Sequence, residues 1–428
     1  MTDWTVKRRV AVGRVSLAAA SSAALVAAAF GVSTTKASGA NGSENGKANA
    51  AAVAGDANAE TAEKSGKTEN WDAASEKASA VELFGDLNFE RGFEIFNGPK
   101  KLGVLRLPFD GENGEAEKSG KPGKLGRGGE TGENGDVAAQ NLTMGPESLG
   151  GETGKNGVDG AAPTWKLAQH WSKFDLSRPE TRTATAPEAR AATPGLAVAR
   201  TKTPDGAVAL RLEVAADAEY DAPRRADQNW LHLLLQRDFA PSERVSFADV
   251  ESLVFTCDAQ VLRSERLMSD EEFDPNLHAT QASVYFAISN DDPESPDFRD
   301  FIWFGVSFFD DRWEIQTDYV AVDGDPKSIG TGKLIYRLGE QRTIDDILGG
   351  VNPFSKKPVR IEIDLAKYLG DALRAAKERG FLTETRVEQM KTAHFNFGWE
   401  TPGTYRAALE IKNPRLVATL KKTVGDAK

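Results

Sequence analysis

Ten segments of this chain carry strand character, and none of them alternates with helices in the strand–helix–strand rhythm that a parallel sheet requires. They read GLAVART, AVALRLEVA, NWLHLLLQRDF, SLVFTCDAQVL, QASVYFAISN, DFIWFGVSFFD, KLIYRL, VRIEIDL, HFNFGW and YRAALEIKNPRL, separated by turn-rich linkers. In VRIEIDL, Val359, Ile361 and Ile363 share one face while Arg360, Glu362 and Asp364 share the other, the period-two pattern of a half-buried strand. The one segment with a helical period is LAKYLGDALRAAKERG, with Leu365, Leu369, Leu373 and Ala376 on one stripe and Gly380 as the stop. Such a chain is expected to be mainly β: an antiparallel, jelly-roll-like β-sandwich with one late helix.

Two low-complexity tracts bracket the start of that domain. Residues 38–81 have a composition that buries too little apolar surface to offset its ordering entropy, and they are expected to be a disordered spacer. Residues 110–163 carry the near-repeats GGETGENG (Gly128 to Gly135) and GGETGKNG (Gly150 to Gly157) without a Gly-X-Y period. Between them, LFGDLNFERGFEIFNGPKKLGVLRLPF (Leu83 to Phe109) has strand-like alternation, and TWKLAQHWSKFDL (Thr164 to Leu176) resumes it afterwards. The second tract is therefore expected to be a disordered insertion into one domain, spanning 82–420, with 421–428 as a tail.

The first 37 residues begin with Lys7, Arg8 and Arg9, continue through an Ala/Val/Leu segment and end in small residues, which is the order of a cleaved export signal. The expected location is the periplasm, the cell envelope or the extracellular space of a bacterium, by general or twin-arginine export, with no stable membrane span once the signal is removed. A net charge of -11 argues against nucleic acid as a partner, because phosphate neutralisation needs a basic face. Cys257 is the single cysteine, so no intramolecular disulfide is available, and its apolar neighbours predict a buried side chain.

NFERGFEI (Asn88 to Ile95), the aromatic middle strand, and FGWETPGTYRAALEIKNPRL (Phe397 to Leu416) together resemble the galactose-binding-type jelly rolls, a group that includes many carbohydrate-binding modules. The resemblance implies first and last strands lying side by side, and a glycan or other cell-surface ligand as partner. It also implies that a structural calcium ion, if held as related jelly rolls hold one, would draw on Glu90 and Asn413; no other cofactor is expected.

Sugars stack their apolar faces on aromatic rings and bond their hydroxyls to carboxylates and amides. On that chemistry the candidate ligand-binding residues are Trp399, Glu400, Trp303, Asp310 and Arg312. The alternatives are a polysaccharide-active enzyme of sandwich fold, a glycoside hydrolase or lyase in which Glu400 pairs with Asp310 or Asp300, and a non-catalytic structural protein of the envelope whose aromatics are all core. No GxSxG, P-loop or GxGxxG motif is present, and His170, His232, His278 and His394 show no zinc spacing. Trp165 and Trp171 fit either core or ligand platform. In HFNFGWETPGTY, Glu400-Thr401-Pro402-Gly403 is a type II turn candidate, so the strand ending near Trp399 and the one beginning at Tyr405 are expected to pair as a hairpin.

Overall fold

The structure, a computed structural model, describes residues 79–109, 162–324 and 330–422. The expected export signal, nearly all of the spacer and nearly all of the insertion lie outside the described residues. In chain order the strands are β1 (Ala80–Glu82), β2 (Phe93–Asn97), β3 (Lys100–Leu105), β4 (Trp165–Ala168), β5 (Thr181–Thr185), β6 (Glu188–Ala192), β7 (Leu196–Lys202), β8 (Val208–Ala215) and β9 (Leu231–Asp238). They continue with β10 (Val250–Arg266), β11 (Gln281–Asn290), β12 (Phe301–Asp310), β13 (Tyr319–Val322), β14 (Leu334–Leu338), β15 (Val359–Asp364), β16 (Met390–Thr401) and β17 (Tyr405–Leu420).

Two sheets form a jelly-roll-like sandwich. The eight-stranded sheet runs β15-β10-β17-β8-β7-β6-β5, with β1 added against β17; the nine-stranded sheet runs β13-β14-β12-β11-β16-β9-β4-β2-β3. The triplets β10-β17-β8 and β11-β16-β9 match, because the chain changes sheets between β8 and β9, between β10 and β11, and between β16 and β17. First and last strands do lie side by side, with Ala80 opposite Thr419. Pairing is antiparallel except at β12–β14 and β2–β4.

The expected hairpin at HFNFGWETPGTY is a corner instead. β16 pairs with β11 and β9, and β17 with β10, β8 and β1, so the two consecutive strands sit in different sheets. Phe395, Phe397 and Trp399 on one strand, and Ala407, Leu409 and Ile411 on the other, each form a wholly buried stripe. Two such stripes are satisfied by stacking face to face, not by pairing edge to edge. Gly403 makes the corner at φ 145°, where an added Cβ would come within 2.9 Å of the Tyr405 ring.

The core between the sheets is aromatic. Phe395 lies 4.9 Å from Phe84, 5.3 Å from Phe255 and 5.2 Å from Phe286, ring centroid to centroid, which ties both sheets to the segment that follows β1. Trp165 joins this cluster at 5.0 Å from Phe84 and is fully buried, whereas Trp171 is exposed: one of that pair is core and the other surface. Cys257 is buried, and that burial raises its thiol pKa well above the usual range.

The predicted helix spans Leu365–Lys377; Asp364 caps it by accepting the Ala366 N–H at 3.1 Å, and Leu365, Leu369, Leu373 and Ala376 are buried. A second, shorter helix, Glu340–Asp346, was not expected. Among the described residues no helix is long and apolar enough to cross a membrane.

Candidate functional site on the outer face of the nine-stranded sheet

Strand parity divides the residues of this sheet. Ala282, Val284, Phe286 and Ile288 of β11 enter the core, so Gln281, Ser283, Tyr285 and Ala287 face away from it. Their cross-strand partners build rows across the sheet. The row nearest the corner is Asp310, Gln281, Glu400 and His232; the next is Ser307, Ser283, Gly398 and Leu234. A third runs from Arg337 through Gly305, Tyr285 and Asn396 to Gln236, and a fourth holds Trp303, Ala287, His394 and Asp238. From β12 to β16 the second row is small, Ser307, Ser283 and Gly398, beside larger neighbours in the first and third rows.

Although these side chains point away from the core, the face is sheltered: Ser283, Ser307, Ala287, His394, Asn396 and Gln236 are all buried. Sheltered polar groups change character. Gln281 Nε2 donates to Glu400 Oε2 at 2.7 Å, and Arg312 spans the row by donating to Gln281 Oε1 at 3.3 Å and, with two nitrogens, to Asp310 at 2.8 and 2.6 Å. Burial raises the Glu400 pKa above its ordinary value; the Gln281 bond and the Arg337 charge oppose that rise, and Asp310 reinforces it.

The third row depends on a missing side chain. A Cβ at Gly305 would stand 2.3 Å from the Tyr285 ring, so only glycine lets Tyr285 lean across β12. There it faces Arg337, whose guanidinium carbon lies 5.2 Å from the centre of the Tyr319 ring. Burial drives the Tyr285 hydroxyl up to about 12. In the fourth row Asp238 bonds His394 at 2.5 Å and also Lys166; burial pushes this carboxyl up, but the two partners outweigh it and hold it at about 2. Trp303 stands edge-on to His394 at 5.8 Å, and its Nε1 donates to Thr331 Oγ1 at 3.1 Å.

Beyond β9 the first row continues in His170, whose ring meets that of His232 at 5.7 Å. Gly98 N–H donates to His170 Nδ1 at 3.0 Å, which requires that nitrogen to be unprotonated. Burial lowers the pKa of His170 to about 3, helped by His232 and His394, and that of His232 to about 4.

Four buried side-chain atoms on this face have no hydrogen-bond partner among the described residues: His232 Nδ1, Ser283 Oγ, Ser307 Oγ and Arg337 Nε. They fall in the first three rows. Buried polar atoms in folded proteins are ordinarily paired, with protein groups or with ordered water.

Of the sequence candidates, Glu400, Asp310 and Arg312 converge on the first row, and Trp303 lies on the same face in the fourth. Trp399 does not belong to it. It is fully buried between the sheets, donating from Nε1 to Leu212 O at 3.2 Å, because its parity is opposite to that of Glu400. Asp300 sits at the far end of β12 from Asp310, roughly 30 Å away along an extended strand, and pairs with Lys333 at 2.7 Å, so it cannot partner Glu400.

Glu90 accepts from Asn88 at 3.3 Å and Asn413 donates to Asp258 at 2.9 Å, and no group of three or more His, Cys, Asp or Glu side chains able to hold a metal occurs among the described residues. Ser283, Tyr285 and Arg337 were missed by sequence reasoning. The parity of QASVYFAISN, apolar at Val284, Phe286 and Ile288 and polar between, is the signal that could have found the first two.

No protein-family model matches this chain, and no curated protein matches it. Among solved structures it is similar to a native family 12 xyloglucanase from Bacillus licheniformis, at 7% identity and a TM-score of 0.31, over 57% of this chain and 98% of that one. It is also similar to endoglucanase cel12A from Rhodothermus marinus, at 11% identity and a TM-score of 0.29 over 55% and 93%. A family 11 xylanase from Neocallimastix patriciarum aligns at 9% identity and a TM-score of 0.25 over 60% and 97%. A likeness this slight carries no argument about what the chain does, and the functional reading rests on the geometry of its own outer face.

Proposed function

We propose that the outer face of the nine-stranded sheet binds a glycan, and that the protein is an exported bacterial glycan-binding protein. The observation that carries the reading is the set of unpaired buried polar atoms, His232 Nδ1, Ser283 Oγ, Ser307 Oγ and Arg337 Nε, together with the half-buried ring of Trp303 on the same face. A saccharide presents hydroxyls that donate and accept, and C–H faces that pack on indole, so it satisfies both kinds of group at once. Binding is tested by affinity electrophoresis of the full chain in gels containing xyloglucan, xylan or mixed-linkage β-glucan. Retardation in at least one gel, lost in a Ser283→Val/Ser307→Val variant that still folds, is expected; equal mobility in all gels overturns the reading.

One observation favours catalysis on the same face: burial raises the Glu400 pKa, as a general acid for glycosidic oxygen requires. Asp310 is held in three bonds from Arg312, one from its backbone N–H and two from its guanidinium, and is poorly placed to serve as its free carboxylate partner. Release of reducing or unsaturated sugar ends from any retained polysaccharide, abolished in Glu400→Gln, decides for the enzyme. Export is read from residues 1–37, and N-terminal sequencing of the mature protein tests it, with a start after Ala37 or Ala40 expected.

A further inference from the structure

Three tryptophans stand along one end of the nine-stranded sheet, beside the row that holds Asp310, Gln281, Glu400 and His232. Trp313 follows β12 and is 51% exposed, with its N–H donating to Asp310 O at 3.1 Å. Trp230 directly precedes β9 and is half-buried, with the Arg224 guanidinium carbon 5.8 Å from its ring centre. Trp171 follows β4 and His170 and is 37% exposed. From β12 through β11, β16 and β9 to β4 there are four strand spacings, about 19 Å at the usual separation of neighbouring strands.

The exposure of Trp171 is built in. Its backbone is held at φ 64°, a left-handed conformation unfavourable for a bulky side chain. Asn97 holds it there: Oδ1 accepts the Trp171 N–H at 2.9 Å and Nδ2 donates to Ser172 O at 3.0 Å. Glu219 then fixes the following residues, accepting from Ser172 Oγ at 2.5 Å and from Lys173 N at 2.8 Å. These hydrogen bonds hold the strained residue with its indole partly exposed, where an aromatic face can take a stacked partner.

We propose that the ligand of this face is an extended glycan chain lying across the strands, stacked near its two ends on Trp313 and Trp171, and not a small saccharide or a chain terminus. The inference rests on the glycan reading above and adds direction and length to it. The groups between the end tryptophans are the Arg312 guanidinium that closes over Asp310, the Gln281 amide, the Glu400 carboxylate and the His232 imidazole, carried by the end of β12 and by β11, β16 and β9, so successive rings of a chain each meet a polar side chain while the terminal rings meet indoles. A compact ligand uses the centre of the row and leaves both end tryptophans idle.

The test is isothermal titration of the full chain with cello-, xylo- and laminari-oligosaccharide ladders, from disaccharide to hexasaccharide. Affinity is expected to rise with length in the ladder that binds. Trp171→Ala and Trp313→Ala, each shown by circular dichroism to be folded, are expected to lose roughly ten-fold in affinity for the longest oligomer, and to match the unmodified protein on the shortest one that binds. A disaccharide bound as tightly as the longest oligomer overturns the inference, as do two variants that bind every length normally; in both cases glycan binding itself stands. Failure of every ladder and of the parent polysaccharides to bind overturns the glycan reading and this inference together.

Discussion

Gln281 and Glu400 face one another across the β11–β16 ladder, and the amide Nε2 of the first donates to the carboxylate Oε2 of the second at 2.7 Å. That bond favours the charged form of a carboxyl that burial otherwise pushes toward neutrality. Gln281→Leu therefore raises the Glu400 pKa further above that of the unmodified protein. A carbon-detected NMR titration, with Glu400→Gln to assign the signal, reads the midpoint directly; an unchanged midpoint would show that the bond does not set the ionisation.

Asp310, only 1% exposed, has Arg312 as its ion-pair partner. Removing one member of a buried pair strands the other, so Arg312→Met is expected to cost about 3–5 kcal/mol in urea unfolding. The double variant Asp310→Asn/Arg312→Met recovers much of that loss. If the double variant is no more stable than the single one, burial of the unpaired carboxylate is not the cause.

The two tryptophans singled out from sequence separate in their effects. Trp399→Ala opens a cavity between the sheets and removes the bond to Leu212 O, a loss of about 3–5 kcal/mol. Trp303→Ala takes away a half-buried ring and its bond to Thr331, about 1–2 kcal/mol, and it weakens glycan retention. Chemical denaturation midpoints that fall equally for both would put Trp303 in the core.

Stability should depend on pH through His170 and His232. Both are held neutral in the fold, with pKa values of about 3 and about 4 against an ordinary 6.5, so the unfolded chain binds more protons between those limits. Their contribution is fully present above pH 6.5 and is lost as pH falls toward 4 and then 3. Asp311 works in the opposite sense: burial lifts it from 3.8 to about 6, so its contribution is present below pH 3.8 and is lost as pH rises through 6. Melting temperatures across this range are expected to fall less steeply with acid in His170→Gln than in the unmodified chain. Parallel curves would mean that His170 does not titrate out of a buried neutral state.

The ten segments read as strands all appear as strands, because apolar and β-branched runs bounded by turn signals are a local feature; period-two burial is plain in β15 and absent from β12, which is buried along nearly its whole length. The helix at Leu365–Lys377 is legible through its own local signals, the apolar stripe and the Gly380 stop, while the Asp364 cap came only with the structure. TRTAT and EARAA, which became β5 and β6, were not legible: one is wholly exposed and the other rich in alanine, so neither shows the contrast that marks a strand. For the candidate site, Glu400, Asp310 and Arg312 were found because charged groups at a strand end stand out among apolar neighbours. Ser283, Tyr285 and Arg337 were not, because a serine or tyrosine facing away from a core looks like any solvated residue until neighbouring strands shelter it.

Sequence alone determined that this chain makes strands, which residues of each strand share a face, and where its one long amphipathic helix begins and ends. Only the tertiary structure decided which strands are neighbours. That choice put β16 and β17 in separate sheets, placed Trp399 inside the sandwich and Glu400 outside it, and set Trp171 in water while Trp165 became core. Alternation says that a strand has two faces, but the burial that distinguishes core from site is supplied by residues distant in sequence.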